Sequence, residues 1–430
     1  MNIVAKNATW IILCRVIQAI LALIINMMTA RYLGPSNFGL ITYAASLVTF
    51  AIPIMQLGFS GTLVQEIINH PECEGKVLGT SLLLCLCSSF LCIIGVSLFA
   101  CITSFDEHTT IIVCFFYSII LFFQALDMMQ YWFQAKLLSK YTSIASLFAY
   151  VVVSSYKLYL LFFKKSIYWF AVSNAFDYAL ISITIFLIYH KLGGQKLSFS
   201  LELGRKMFAR SKHYIISGMM VTIFAQTDKV MLKMMIGEEA TGYYGAALTC
   251  AGMSSFVFTA IIDSFRPAVF KGLTINREIF TYRLTLLYSI IIYLSLAQSI
   301  CMTLFAKPIV LILYGKDYFP AIVLLQIVVW FTTFAYIGAI RNIWILAHDK
   351  QKYLWKINLF GAIANIVLNL LLIPSFGVYG AGIASIITQC FTNIIMGYII
   401  KPISPNNAIM IKGLNPRYCF YTLKQYLHEH

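Results

Sequence analysis

HKLGGQKLSFSLELGRKMFARSK (190–212) is a long basic loop in a strongly apolar chain, with six apolar segments before it and six after. Its position predicts two helical lobes joined by a cytoplasmic linker. Before it the segments run 9–32, 39–61, 77–103, 111–133, 142–163 and 167–189. After it they run 213–235, 243–265, 282–305, 319–346, 354–373 and 378–400. Each can cross the hydrocarbon of a bilayer, which takes about 20 apolar residues in a helix. The expected fold is an all-α integral membrane protein of about 12 transmembrane helices. Its parts are an N-terminal lobe (1–189), the linker (190–212), a C-terminal lobe (213–400) and a cytoplasmic tail (401–430). The stretch AKPIVLILYGKDY (306–318) is too short to cross and reads as an interfacial or re-entrant piece.

Composition supports lipid as the main solvent. Of 430 residues, 60% are hydrophobic and only 11% are charged, whereas a soluble globule carries about a quarter charged residues. The eleven cysteines lie mostly inside apolar runs, such as Cys85, Cys87 and Cys92, where they act as small hydrophobes. No CxxC or Cys/His spacing points to a metal or a redox pair. The first apolar run is long enough to stay in the membrane and has no small-residue cleavage site. Net charge is +15. With both termini in the cytoplasm, 21 of the 31 Lys and Arg fall on the cytoplasmic side and five on the external side, the bias that sets orientation. The other five lie within segments and raise the question of a cationic cavity.

The two halves resemble each other. At a shift of 203, Gly34 and Gly39 match Gly237 and Gly242, each pair closing an external loop. At a shift of 212, Trp132, Ala135, Lys140 and Tyr141 match Trp344, Ala347, Lys352 and Tyr353. Six helices per half make the repeats parallel, related by an axis along the membrane normal. Such a pair is expected to enclose a central cavity that opens to alternate sides.

Ionisable groups within lipid cost a few kcal/mol each on insertion scales, so those that persist face water, pair or snorkel. Arg15, Gln18, Asn26 and Thr29 fall at helical spacing on one stripe of the first segment. Thr222, Gln226, Lys229 and Lys233 do the same on the seventh. Under the shift of 203, Asn26 falls on Lys229. Both stripes are therefore expected to line the cavity and offer cations to phosphate, arginine as a bidentate fork and lysine as a point charge. The competing reading is interhelical polar packing, with Lys229 neutralised by a neighbour such as Asp228 or Asp263. Arg341, inside segment ten, either snorkels or points into the cavity, and Arg266, before Pro267, either meets a head group or anchors topology. Asp127, Asp177, Asp228 and Asp263 are the acids expected to be buried. Each is a candidate for ion coupling, or else the partner of Lys157, Lys229 or Arg341. No Walker-type loop, nucleophile motif or carboxylate pair suggests ATP hydrolysis or other enzymatic chemistry. No cofactor, metal or nucleic acid is expected.

These residues also carry a resemblance. RYLGPSNFGLITYAASLVTFAIPIMQLGFS (31–60), QTDKVMLKMMIGEEATGYYGAAL (226–248), RNIWILAHDKQKYL (341–354) and LNLLLIPSFGVYGAGIAS (368–385) resemble O-antigen flippases of the Wzx type. The likeness runs from the first helix to the twelfth. It implies the multidrug/oligosaccharidyl-lipid/polysaccharide exporter fold: two six-helix lobes around a cationic, hydrated cavity in the inner membrane. It also implies an undecaprenyl-pyrophosphate-linked repeat unit as substrate, with a polysaccharide polymerase and a chain-length regulator as partners beyond the membrane lipids. A drug or cation antiporter of the same superfamily would need an acidic cavity. A membrane polymerase or ligase would need a large external loop, and no external loop exceeds about fifteen residues, the length of ordinary connections.

Overall fold

The computed structural model describes residues 3–415, with side chains from Cys14 onward; the end of the expected tail, 416–430, lies outside the described residues. The long elements are α1 (Ile3–Met55), α2 (Glu74–Thr103), the broken α3 (His108–Ala135), α4 (Ser139–Phe162), α5 (Ile167–Lys191) and α6 (Leu201–Met235). They continue as α7 (Glu238–Gly252), α8 (Ser255–Ile275), α9 (Arg277–Leu304), α10 (Ala321–Ala347), α11 (Leu354–Phe376) and α12 (Val378–Ile399). Residues 306–318 hold only an eight-residue helix, Ala306–Leu313, and a short 3-10 turn.

Among the described residues ten helices are long and apolar enough to cross a membrane. An eleventh span forms if α7 and α8, bent by 43°, count together. The difference from twelve lies in α1. Its apolar stretch Cys14–Met55 is 42 residues long, about 63 Å at 1.5 Å per residue, or roughly twice the hydrocarbon thickness. It breaks at Gly34 (φ 72°, ψ 171°), followed by Pro35, so it supplies both of the first two predicted segments.

The basic stretch 190–212 is not loop throughout. Leu201 to Lys212 continue without interruption into the seventh predicted segment, so α6 runs 35 residues. Ser200 starts it by accepting a hydrogen bond from the Leu203 amide at 3.4 Å, with Glu202 in the first turn, a common N-terminal signal. Only about 192–200 is extended connection. One compact unit ends at Gly242 and a second begins at Tyr243. The boundary thus falls one helix later than the linker, because α6 packs on α1.

Each unit has an aromatic-rich interior. Tyr43, Phe59, Phe133, Phe170 and Tyr189 are fully buried in the first; Phe258, Phe280 and Tyr288 are fully buried in the second. Large apolar side chains also cover the outside, up to 82% exposure at Phe162. In water this would be an aggregation liability, and in lipid it is the ordinary surface. Hydroxyls inside the helices bond back to carbonyls four residues earlier, as Thr42 does to Phe38, Ser46 to Thr42 and Thr49 to Ala45. Lipid offers no other partner.

Both repeats appear in the backbone. After the third-helix repeat, Leu137 (φ 58°) ends the helix in the left-handed region, and 212 residues later Asp349 (φ 54°) does the same. The closing bonds match one for one: Leu138 N to Phe133 O and Lys350 N to Ile345 O at 2.7 and 2.9 Å, then Tyr141 N to Leu138 O and Tyr353 N to Lys350 O at 2.9 and 3.0 Å. At the shift of 203, Gly34 and Gly237 both take positive φ, 72° and 135°.

The other glycines of that repeat meet each other. A methyl on Gly39 would lie 1.8 Å from the Glu238 carbonyl oxygen, and one on Gly242 would lie 2.0 Å from the Pro35 carbonyl oxygen. The helix after the first break and the start of α7 thus cross backbone to backbone, a contact that only glycine permits. Gly39→Ala and Gly242→Ala should each cost about 1–3 kcal/mol by overpacking. Gly95→Ala, where a methyl meets nothing within 4 Å, should be neutral or stabilising. Thermal unfolding of the detergent-solubilised variants measures the difference.

Candidate functional site

The crossing sets α6 beside α1. Gln226, on the expected stripe of α6, accepts a hydrogen bond from Ser46 of α1 at 3.2 Å and another from the Lys229 ammonium at 2.8 Å. The lysine is thereby held by a neutral amide, itself braced from a second helix. Asp228 is next to it in the chain, buried, and within electrostatic reach of the ammonium. Thr222, one turn earlier, bonds to its own helix at Met219. On α1, Arg15 is exposed and forms no hydrogen bond or ion pair among the described residues; Gln18 and Asn26 are partly buried. The Thr29 hydroxyl is buried without a hydrogen-bond partner among the described residues.

Lys233 leaves the cationic set. It is 6% exposed and lies 2.6 Å from Glu107 and 3.4 Å from Glu238. Glu107 also accepts from Thr110 at 2.6 Å, and Glu238 accepts from Ser36 at 3.0 Å. The charge of Lys233 is therefore met by two carboxylates, and its role is to fasten the ends of α6 and α7 to the loop before α3 and to the break in α1. The stripe pattern could not show this, because Glu107 lies in the loop before α3 and Glu238 begins another helix, α7.

Arg341 and Arg266 are also spoken for. Arg341 is 4% exposed and donates to the Thr392 carbonyl at 2.6 Å and to Asn342 Oδ1 at 3.4 Å. Thr392 lies in a π-helical turn, Phe391–Ile395, where the normal ladder is broken and a carbonyl needs an outside donor. Arg341 is buried and does not snorkel, and its two hydrogen bonds brace the second unit. Arg266 pairs with Asp263 at 3.0 Å on α8, and both side chains are about half exposed. Asp263 is therefore not a buried acid.

In the first unit Asp127 is within electrostatic reach of Asp177, and Asp177 within reach of Lys157. Gln130 donates to Asp127 at 2.6 Å, and Lys157 donates to Asn174 at 2.8 Å, one turn before Asp177. One oxygen of Asp177 is buried without a hydrogen-bond partner among the described residues. Asn174 was not singled out from the sequence; its spacing of three from Asp177, opposite Lys157 on the preceding helix, is the signal that would have found it.

The Lys233 pair makes a pH prediction. Hydrogen bonds from Lys233 first, and Thr110 second, hold the Glu107 carboxyl below the usual carboxylate range. A depressed folded-state value means that the stabilisation is complete above the unfolded value, about 4.3, and is lost as pH falls through the lower folded one. Glu107→Gln should lower stability by about 1 kcal/mol at pH 7, a value reduced by the half-exposure of Glu107 and by Glu238, which still meets the buried ammonium. The gap to the native chain should close only below about pH 4. Melting curves of the two proteins from pH 7 to 3 test this.

Comparison with known proteins agrees with this architecture. The pattern of the family described as polysaccharide biosynthesis protein matches residues 4–273. An Escherichia coli K12 protein named "Putative O-antigen transporter" is 23% identical over 401 residues, covering 89% of this chain and 92% of the relative. Among solved structures, the lipid II flippase MurJ in an inward closed conformation aligns with a TM-score of 0.70 at 14% identity, covering 97% of this chain and 92% of that one. An inward-facing multidrug resistance MATE family transporter of the MOP superfamily aligns with a TM-score of 0.65 at 13% identity, covering 91% and 96%. Those two likenesses establish the two-lobe fold of that superfamily. With the family pattern spanning more than half of the residues, this chain is a multi-pass membrane transport protein that belongs to the polysaccharide biosynthesis protein family.

Proposed function

We propose that the protein flips an undecaprenyl-pyrophosphate-linked O-antigen or related repeat unit from the cytoplasmic to the external leaflet of a bacterial inner membrane. The observation that carries this reading is Lys229, a membrane-embedded ammonium whose hydrogen-bond partner is neutral. A diphosphate cannot enter hydrocarbon unpaired. A fixed cation hydrogen-bonded to an amide, with Asp228 within electrostatic reach, keeps more attraction for an anion than Lys233 and Arg266, each held directly on carboxylates. Arg15, exposed on the equivalent stripe of α1, is the second cation of the site, with Gln18, Asn26, Thr29, Thr222 and Gln226 as its polar lining.

Transport proceeds by alternating access. The Gly39–Gly242 crossing and the Lys233 clasp hold the external ends together and open to release the head group outward. The repeats, six helices on either side of the 190–212 linker, move against each other with both termini in the cytoplasm. The lipid tail stays in the bilayer while diphosphate and sugars pass inside. Asp127 and Asp177, membrane-embedded and within electrostatic reach, are the site at which a proton or sodium ion couples to the cycle, and Asp228 is the further acid next to the substrate cation. A polysaccharide polymerase and a chain-length regulator receive the product. Drug or cation antiport is the second reading, and the same Asp127–Asp177 pair is the one observation in its favour.

In a strain lacking the gene, lipid-linked repeat units should accumulate in the cytoplasmic leaflet and surface polysaccharide should be lost. Complementation with Lys229→Ala or Arg15→Ala should restore less than about a tenth of the surface polysaccharide, the loss of one charge-assisted phosphate contact or more. Both variants should be present in the membrane at the native level, and Arg15→Lys should rescue in part. Full surface polysaccharide with both alanine variants would remove these residues from the site, and full surface polysaccharide in the deletion strain would remove the function.

A further inference from the structure

A groove of about 550 Å³ lies in the first unit, between α2, α3, α5 and the extended connection 197–199. Leu83, Leu86, Phe123, Ile183, Phe186 and Phe199 line it. Its size is that of a small-ligand site, but its chemistry is almost wholly hydrocarbon. Of its two serines, Ser182 already donates to the Phe123 carbonyl at 3.1 Å. The walls therefore offer nothing to a diphosphate or a sugar. Leu83, Ile183, Phe186 and Phe199 are each at least two-fifths exposed, so the groove opens on the lipid side.

The connection that forms one wall is pinned. Gly75 and Gly79 of α2 let it pass at backbone distance, since methyls there would lie 2.5 Å from the Lys196 and Ser198 carbonyl oxygens. The Ser198 amide bonds to the Gly75 carbonyl at 3.3 Å, the Ser200 amide bonds to the Thr80 hydroxyl at 3.0 Å, and the Gln195 side chain spans Gly75 and Pro71. This crossing lays Lys196 against Gly75, the chain neighbour of Lys76, and each lysine borders a lining residue, Lys196 next to Leu197 and Lys76 one turn before Gly79; both are exposed. The neighbouring acids are occupied: Glu74 holds Lys136 at 2.6 Å and Glu202 holds Lys206 at 2.7 Å, although Lys76 is within electrostatic reach of Glu202. The Lys196 ammonium has no hydrogen bond or ion pair among the described residues.

An apolar trough on the lipid face bordered by two exposed lysines matches one kind of molecule. We infer that the groove seats an acyl chain of an anionic phospholipid from the leaflet on the linker side, with its phosphate on Lys76 and Lys196. Basic residues at the membrane surface attract anionic head groups, and the long lysine side chains reach the head-group level while their stems stay on apolar surface. The lipid would then fasten the connection 195–200 to α2. This inference rests on the membrane location of the chain, not on what it transports.

The test is lipid binding to the purified full-length protein by native mass spectrometry, with phosphatidylglycerol, phosphatidylcholine and undecaprenyl phosphate as probes. The native protein should retain phosphatidylglycerol about tenfold more tightly than phosphatidylcholine, as expected for two lysines at an anionic head group. Lys76→Ala/Lys196→Ala, both surface changes, should abolish that preference and leave phosphatidylcholine binding unchanged. Ile183→Trp, which fills the trough, should weaken both phospholipids several-fold, about what the loss of buried chain implies. Equal retention of the two phospholipids by the native protein would overturn the inference. So would a preference that survives the double lysine variant, or native-like binding by Ile183→Trp. Displacement of phosphatidylglycerol by undecaprenyl phosphate from the native protein, absent in Ile183→Trp, would assign the trough to a polyprenyl chain instead.

Discussion

The first unit is organised by a backbone crossing at two glycines. Gly39 and Gly242 let the helix after the α1 break and the start of α7 approach until carbonyl oxygens occupy the space of a side chain. Within a membrane little hydrophobic force acts between helices, so close packing of small residues has to hold them. With that crossing in place α6 lies along α1, Gln226 reaches Ser46, and Lys233 reaches both Glu107 and Glu238. The positive φ of Gly34 and Gly237 supplies the breaks that bring the two segments to the crossing.

A second constraint follows from the solvent. Charges in lipid have to be met, and the membrane-embedded cations are met in different ways. Lys233 faces two carboxylates, Arg266 one, and Arg341 a carbonyl of a π-turn that the helical ladder leaves unserved. These are structural uses; in the Lys233 cluster the buried group is the ammonium itself, and in the Arg341 contact it is the guanidinium. Lys229 shares with Arg341 a neutral hydrogen-bond partner, but its partner is a side-chain amide that Ser46 braces from α1, not a carbonyl in need of a donor. A positive stripe on a helix is thus only a set of candidates; the partners sort them.

Much of the fold is legible in the residues, because span length, glycine–proline breaks and internal repeats are local signals. The shifts of 203 and 212 correspond to matched positive-φ residues and matched closing hydrogen bonds. What misleads is also physical. The polar face of 201–212 reads as loop, yet a capping serine starts a helix that runs straight into the next span. Helical spacing places Lys233 with Lys229, but one of its acids, Glu107, is distant in the chain and the other, Glu238, lies past the break on α7, and periodicity within one helix carries no information about either. Asp263 reads as buried because its neighbours are apolar, while its side of α8 is exposed and pairs with Arg266. The role of Arg341 depends on a π-turn, a shift of one residue in hydrogen-bond register that composition does not reveal.

In the proposed cycle the glycine crossing parts on every turn of transport. Asn37 and Glu239 flank it on exposed positions, and cysteines there, in a chain stripped of its own reactive thiols, can be bridged by a short bis-maleimide. Transport of a lipid-linked oligosaccharide should then stop in reconstituted vesicles, while either cysteine modified alone leaves it running. Undiminished transport by the bridged protein would contradict the account.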